Sequence, residues 1–141
     1  MEKPASCGNL IKQISDELQK MADNKMRSQN MTMAQTVALL ALYHTPEKQL
    51  TMKQLEKELH VAQSTAAGIV SRLEQKGLVD GCGDAADKRI KLVRITQTGI
   101  TRVLETEQDM THAEETLLSG LTGTEREILY SLLKKVRESL K

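Results

Sequence analysis

Hydrophobic positions recur at helical spacing along most of the chain. Leu10, Ile11, Ile14, Leu18, Met21 and Met26 make one apolar stripe, which predicts a helix over about Asn9 to Arg27. Asn24 to Thr32 is polar with interspersed methionine and reads as a loop or bend. Met33 to His44 reads as a second helix, apolar almost all round at Val37, Leu39, Leu40 and Leu42, and therefore buried. Thr45-Pro46 ends it, because the residue before a proline is pushed out of the helical region. Thr51 and Gln54 fit a capping box for a short third helix whose inner face is Met52, Leu55 and Leu59. His60-Val61-Ala62 is a tight connection. A fourth helix follows, with Ser64 as N-cap, an inner face of Ala66, Ile69, Val70 and Leu73, and Gly77 at its end.

The period then changes from helix to strand. Leu78-Val79 reads as a short strand and residues 81–89 as a turn-rich segment. Ile90 to Ile95 reads as the returning strand, with Ile90, Leu92 and Val93 inward. A long helix follows over about Gln97 to Leu118. Ile100, Val103 and Leu104 anchor its start, Leu117, Leu118 and Leu121 anchor its end, and its middle is polar. Thr122 and Glu125 form another capping box, opening a last helix with a wide stripe at Ile128, Leu129, Leu132, Leu133, Val136 and Leu140.

Composition narrows the function. The 141 residues suit one domain, and 39% hydrophobic content is enough for a core. There is no Phe or Trp and only two Tyr, which disfavours modules that stack unpaired bases on aromatic rings and also disfavours a β-sandwich. The longest apolar run, Val37 to Tyr43, falls far short of the roughly 20 residues of a membrane span. The start lacks a secretory pattern, and two distant cysteines make no disulfide framework, so a soluble cytoplasmic protein is expected. Cys82 lies between two glycines, an exposed setting, and Cys7 lies just before the first helix. Net charge is +1, and residues 51–95 carry eight basic against six acidic residues, a slight bias toward an anionic partner. The sequence shows no phosphate loop, no nucleophile–base spacing and no paired metal ligands; this is not the pattern of an enzyme, and no cofactor or metal is called for.

Two short helices, a tight turn and a following hairpin make a winged helix-turn-helix. The second helix has the width that the major groove admits, and the first braces it across the backbone. The exposed face of that second helix offers small and polar residues: Ser64, Thr65, Ala67, Gly68, Ser71, Arg72 and Gln75. The expected fold class is mainly α with a small β-hairpin wing, a winged helix-turn-helix plus a helical dimerisation region.

At Gln63-Ser-Thr-Ala-Ala-Gly-Ile-Val-Ser-Arg-Leu-Glu-Gln-Lys-Gly-Leu-Val79, then Asp84-Ala-Ala-Asp-Lys-Arg89, then Leu92-Val-Arg-Ile-Thr96 and Gly99, the chain resembles the MarR family of bacterial transcriptional regulators. The resemblance implies one domain over 1–141, with a DNA-binding lobe at 33–96 and a helical dimerisation region at 1–32 and 97–141. It implies a homodimer reading a palindromic operator in double-stranded DNA, with the first and last helices of two protomers intertwined. Gln63, Ser64, Thr65, Ala67, Gly68, Ser71 and Arg72 would face the DNA, Lys88, Arg89 and Lys91 would serve the wing, and Asp87 would orient it. Regulators of this kind also take small hydrophobic or aromatic-acid ligands between the two regions.

The chain departs from the family pattern in two places. Ala66-Ala67-Gly68 lacks the basic residue often found there, and Asp80-Gly-Cys-Gly follows the strand where more basic residues are usual. This DNA face is therefore less basic than the pattern. Either its affinity is modest, or its small face reads thymine methyl groups closely. A protein–protein adaptor with lost operator reading is the alternative from another class. Met21, Met26, Met31 and Met33 cluster near the first bend, where they either fill core or line a pliable ligand pocket.

Overall fold

The computed structural model describes residues 6–83 and 91–141. In chain order it has α1 (Cys7–Ser28), α2 (Met33–His44), β1 (Gln49–Thr51), α3 (Met52–Leu59), α4 (Gln63–Gln75), β2 (Val79–Gly83), β3 (Lys91–Ile95), α5 (Gln97–Leu117) and α6 (Gly123–Glu138). The chain divides into two units, residues 1–105 and 106–141.

Most element ends follow from local chemistry. The Thr51 hydroxyl accepts from the Gln54 amide at 3.1 Å while the Gln54 side chain accepts from the Thr51 amide at 2.9 Å. Thr122 and Glu125 repeat this arrangement at α6, as do Thr32 and Gln35 at α2. Each box satisfies amides that the first helical turn leaves without carbonyl partners. His60 closes α3 in the left-handed region, at φ 53°, and Gly77 follows the last turn of α4 at φ 72°, a conformation glycine adopts without a Cβ penalty.

Several expectations need correction. The first helix runs on to Ser28, so residues 24–28 are helical and the corner is confined to residues 29–32. The polar residues there mark an exposed last turn, where Lys25 and Arg27 suit the negative end of the helix dipole. Cys7 is the first residue of α1 rather than a residue before it. Helix α2 is not buried all round: Val37 is exposed, while Gln35, Ala38, Leu39 and Leu42 are buried. Helix α4 is capped at Ala62, with no side-chain hydrogen bond, and Ser64 is already inside it.

The wing is larger than a hairpin. Its sheet has three antiparallel strands in the order β1-β3-β2. Leu50 pairs with Val93 on one side of β3, and Val79 pairs with Ile95 on the other. Strand β2 continues to Gly83, paired with Lys91, where glycine content had suggested a turn. The inward residues of β3 are Val93 and Ile95, with Leu92 only half-buried. Ile90 lies outside the described residues.

The core of the first unit joins α2, α3, α4, the sheet and the start of α5. Leu39, Leu42, Leu55, Val70, Leu73, Val79, Val93 and Val103 are its largest fully buried side chains. Each contributes roughly 1.5–3 kcal/mol relative to exposure. Thr96 fastens α5 to it: its hydroxyl donates to the Gly77 carbonyl at 2.7 Å and accepts from the Gly99 amide at 3.0 Å. Gly99 is buried so close to Leu78 that a Cβ there would collide with the Leu78 carbonyl oxygen. That contact gives the Thr96-x-x-Gly99 pattern a packing cause. In the second unit, Arg126 of α6 pairs with Glu115 at 3.1 Å.

Candidate nucleic-acid interface

Helix α4 sorts its residues cleanly. Ala66, Ile69, Val70 and Leu73 are buried. Gln63, Ser64, Thr65, Ala67, Gly68, Ser71, Arg72 and Gln75 are all exposed. The inward set recurs at three- and four-residue spacing, which leaves the outward set on one continuous face. Nothing lies within 4 Å of where a Cβ on Gly68 would be, so the fold does not require glycine there. The first turn of α4 lacks a side-chain cap, and its amides and positive dipole end suit an anion.

The sheet is tied to this helix. Glu74 of α4 reaches Lys91 of β3 at 3.7 Å, and both side chains pass over Gly81, where a Cβ would lie 3.0 Å from Glu74 Oε1 and from Lys91 Cε. Lys91 therefore belongs to the junction of helix and wing. The pair is largely exposed and worth little energetically, so its effect is orientation. Arg94 donates to Gln49 Oε1 from Nε at 3.1 Å and from Nη2 at 3.0 Å, tying β3 to β1. Asp87, Lys88 and Arg89 lie outside the described residues, as does the Cys82 side chain.

The methionines separate. Met31 is buried in the core and Met26 packs partly against it, while Met21 and Met33 are 43% and 45% exposed. A groove of about 390 Å³ lies elsewhere, between α2 and α3, lined by Val37, Leu40, Ala41, His44, Thr45 and Glu58. Among the described residues no group of three or more His, Cys, Asp or Glu could hold a metal ion. No described helix is long and apolar enough to cross a membrane.

One residue missed in the sequence stands out. The Lys76 ammonium, at the end of α4, donates to the Asn30 carbonyl and to Gln35 Oε1 at 2.7 Å, with Met31 Sδ at 3.7 Å. Burial first, then the positive charges of Arg102 and Arg72, hold its pKa below the ordinary lysine value. Gln35 is the sole buried polar residue among those described. The Thr32-x-x-Gln35 spacing was the available signal, since it matches the box at Thr51 and Gln54.

These features define a winged helix-turn-helix protein, with α3 and α4 as the helix pair and the sheet as the wing. The MarR family model matches residues 29–90. The chain is 26% identical over 92% of its length, and 85% of the relative's, to a Bacillus subtilis protein named as the uncharacterized HTH-type transcriptional regulator YybA. It is also similar to MepR, a transcription regulator of the Staphylococcus aureus multidrug efflux pump MepA, with 29% identity, TM-score 0.88 and coverage of 97% of this chain and 100% of that one. Against the S. aureus MepR–DNA complex, identity is 30% and the TM-score 0.82, covering 95% of this chain and 99% of that one. The chain belongs to the MarR family.

Proposed function

We infer that this chain is a DNA-binding transcriptional regulator: a ligand-responsive repressor that reads a palindromic operator as a homodimer. The observation that carries the reading is the outward face of α4, where Gln63, Ser64, Thr65, Ala67, Gly68, Ser71 and Arg72 are exposed together while the opposite face anchors the core. Side chains on such a face reach base edges in the major groove, and the uncapped helix start suits a backbone phosphate. Likeness to a MepR structure solved with DNA supports the same assignment.

The homodimer is supported by the terminal helices. Neither α1 nor α6 has a buried residue, yet Leu10, Ile11, Ile14, Ile128, Leu132, Leu133 and Val136 form exposed apolar stripes on them. We assign residues 1–32 and 97–141 to dimerisation and 33–96 to DNA. The wing contacts are Lys88 and Arg89, with Asp87 orienting them. The proposed ligand is a small hydrophobic or aromatic acid, taken near the corner where Met21, Met26, Met31 and Met33 gather in sequence. Its binding favours a spacing of recognition helices that no longer fits half-sites one helical turn apart, about 34–36 Å.

The test is fluorescence anisotropy with DNA from the chain's own upstream region and with random duplex, at two salt concentrations, for wild type and Arg89→Ala. Binding that is selective, falls steeply with salt and weakens in the variant is the expected result. Equal binding to the two duplexes would sink operator reading at that site. Binding without salt dependence would favour the adaptor reading.

A further inference from the structure

We propose that Lys76 is a positioning residue for the recognition helix, tying the end of α4 to the corner between α1 and α2. The inference rests on the DNA-binding reading above and adds a residue that sets how the reading helix is presented.

The geometry is specific. Lys76 is the C-cap of α4, directly after the exposed face. Its ammonium spans to a segment more than 40 residues earlier and meets three acceptor atoms there: the Asn30 carbonyl, Met31 Sδ and Gln35 Oε1. An ammonium has three donors, so this set matches its full capacity. The acceptors belong to the corner itself. Asn30 is in the left-handed region at φ 57°, Met31 is buried in the core, and Gln35 is the N3 residue of the α2 capping box. One side chain thus joins the residues just after α1, the first turn of α2 and the end of α4.

Burial, then the positive charges of Arg102 and Arg72, act against the Lys76 charge, while the three acceptors at the corner hold its ammonium in place. The charge is kept where it connects α1 to the helix that faces DNA. The Lys76 ammonium is engaged at the corner, so its effect on binding runs through the helix it holds.

The experiment uses the full chain as wild type, Lys76→Met, Lys76→Arg and Gln35→Glu. Amide hydrogen exchange is followed by mass spectrometry, and binding is measured to the duplex that wild type selects from a random pool. Hydrogen bonds to a charged group are strong enough that Lys76→Met should speed exchange about tenfold in both 29–36 and 72–78. Exchange in α3 should stay unchanged. Gln35→Glu keeps the capping box and places a carboxylate on Lys76, so it should slow exchange in both segments. Lys76→Arg keeps the charge but spreads its donors over a planar fork, so it should restore only part of the protection lost in Lys76→Met. Affinity for the selected duplex should fall about tenfold in Lys76→Met with an unchanged salt slope.

Faster exchange in only one segment, or a uniform rise throughout the chain, would overturn the proposal. A salt slope reduced by about one would make Lys76 a phosphate contact instead. Failure of wild type to select any duplex would overturn the DNA-binding reading, and exchange alone would then decide whether the tie exists.

Discussion

The winged lobe and the terminal helices solve opposite problems with similar residues. In the lobe, leucines and valines at helical and strand spacing close on one another, and seven of the largest are fully buried, joined by Val103 from the start of α5. In α1 and α6 the same periodicity leads nowhere within one chain: no residue of either helix is buried, and Ile128 is 53% exposed. Periodicity therefore tells which face is apolar but not whose surface covers it. A self-sufficient core and an apolar face left open look alike in sequence, and they separate only when burial is known.

The comparison breaks most visibly through the stripes. Ile14→Glu with Leu133→Glu should weaken the proposed association by at least about a thousandfold, since two carboxylates from each protomer would be buried without partners. Sedimentation should show a monomer, while the lobe keeps its far-ultraviolet spectrum. A dimer of unchanged strength would rule these helices out as the interface. Inside the lobe, Leu73→Ala should cost about 2–5 kcal/mol in urea unfolding, as expected for a cavity at a fully buried position. Gly99→Ala should cost about 1–3 kcal/mol, because the helix must shift from the Leu78 carbonyl.

On the outward face the sign reverses. Gly68→Ala should stabilise the fold by roughly 0.5–1 kcal/mol, as there is open space for its methyl group and glycine is a poor helix residue. If the small face makes close contact with DNA, the same variant weakens binding, so opposed changes in stability and affinity would mark Gly68 as a reading position. The smallest effect concerns Lys76. Burial first, and the nearby Arg102 and Arg72, hold its folded pKa below the ordinary lysine value that the unfolded chain keeps. Between those two values the unfolded chain holds more protons, so this group makes stability rise with pH through that window. Lysine-selective NMR titration should place Lys76 below the ordinary lysine value.

Much of this was legible beforehand. The capping boxes at Thr51 and Thr122, the inner face of α4 and the end at Gly77 rest on nearest-neighbour chemistry, which sequence carries directly. Strand β1 was not legible, because Gln49, Leu50 and Thr51 make too short an alternation to register, and their pairing with Arg94, Val93 and Leu92 depends on distant chain. The same holds for Lys76, whose partners lie more than 40 residues away. The candidate DNA face was readable as the complement of the buried set on α4. The Glu74–Lys91 contact was not, since it needs the missing side chain of Gly81 on a different strand.

The division of labour on α4 also bears on how such a protein changes over generations. Gln63, Ser64, Thr65, Ala67, Gly68, Ser71 and Arg72 stand outside the core, so exchanges among them shift stability by only about 0.5 kcal/mol in most cases. If these residues read DNA as proposed, target preference drifts one position at a time, while Ala66, Ile69, Val70 and Leu73 hold the scaffold constant. On the same reading, duplicated copies of such a gene diverge to new binding sites mostly through intermediates that keep the fold.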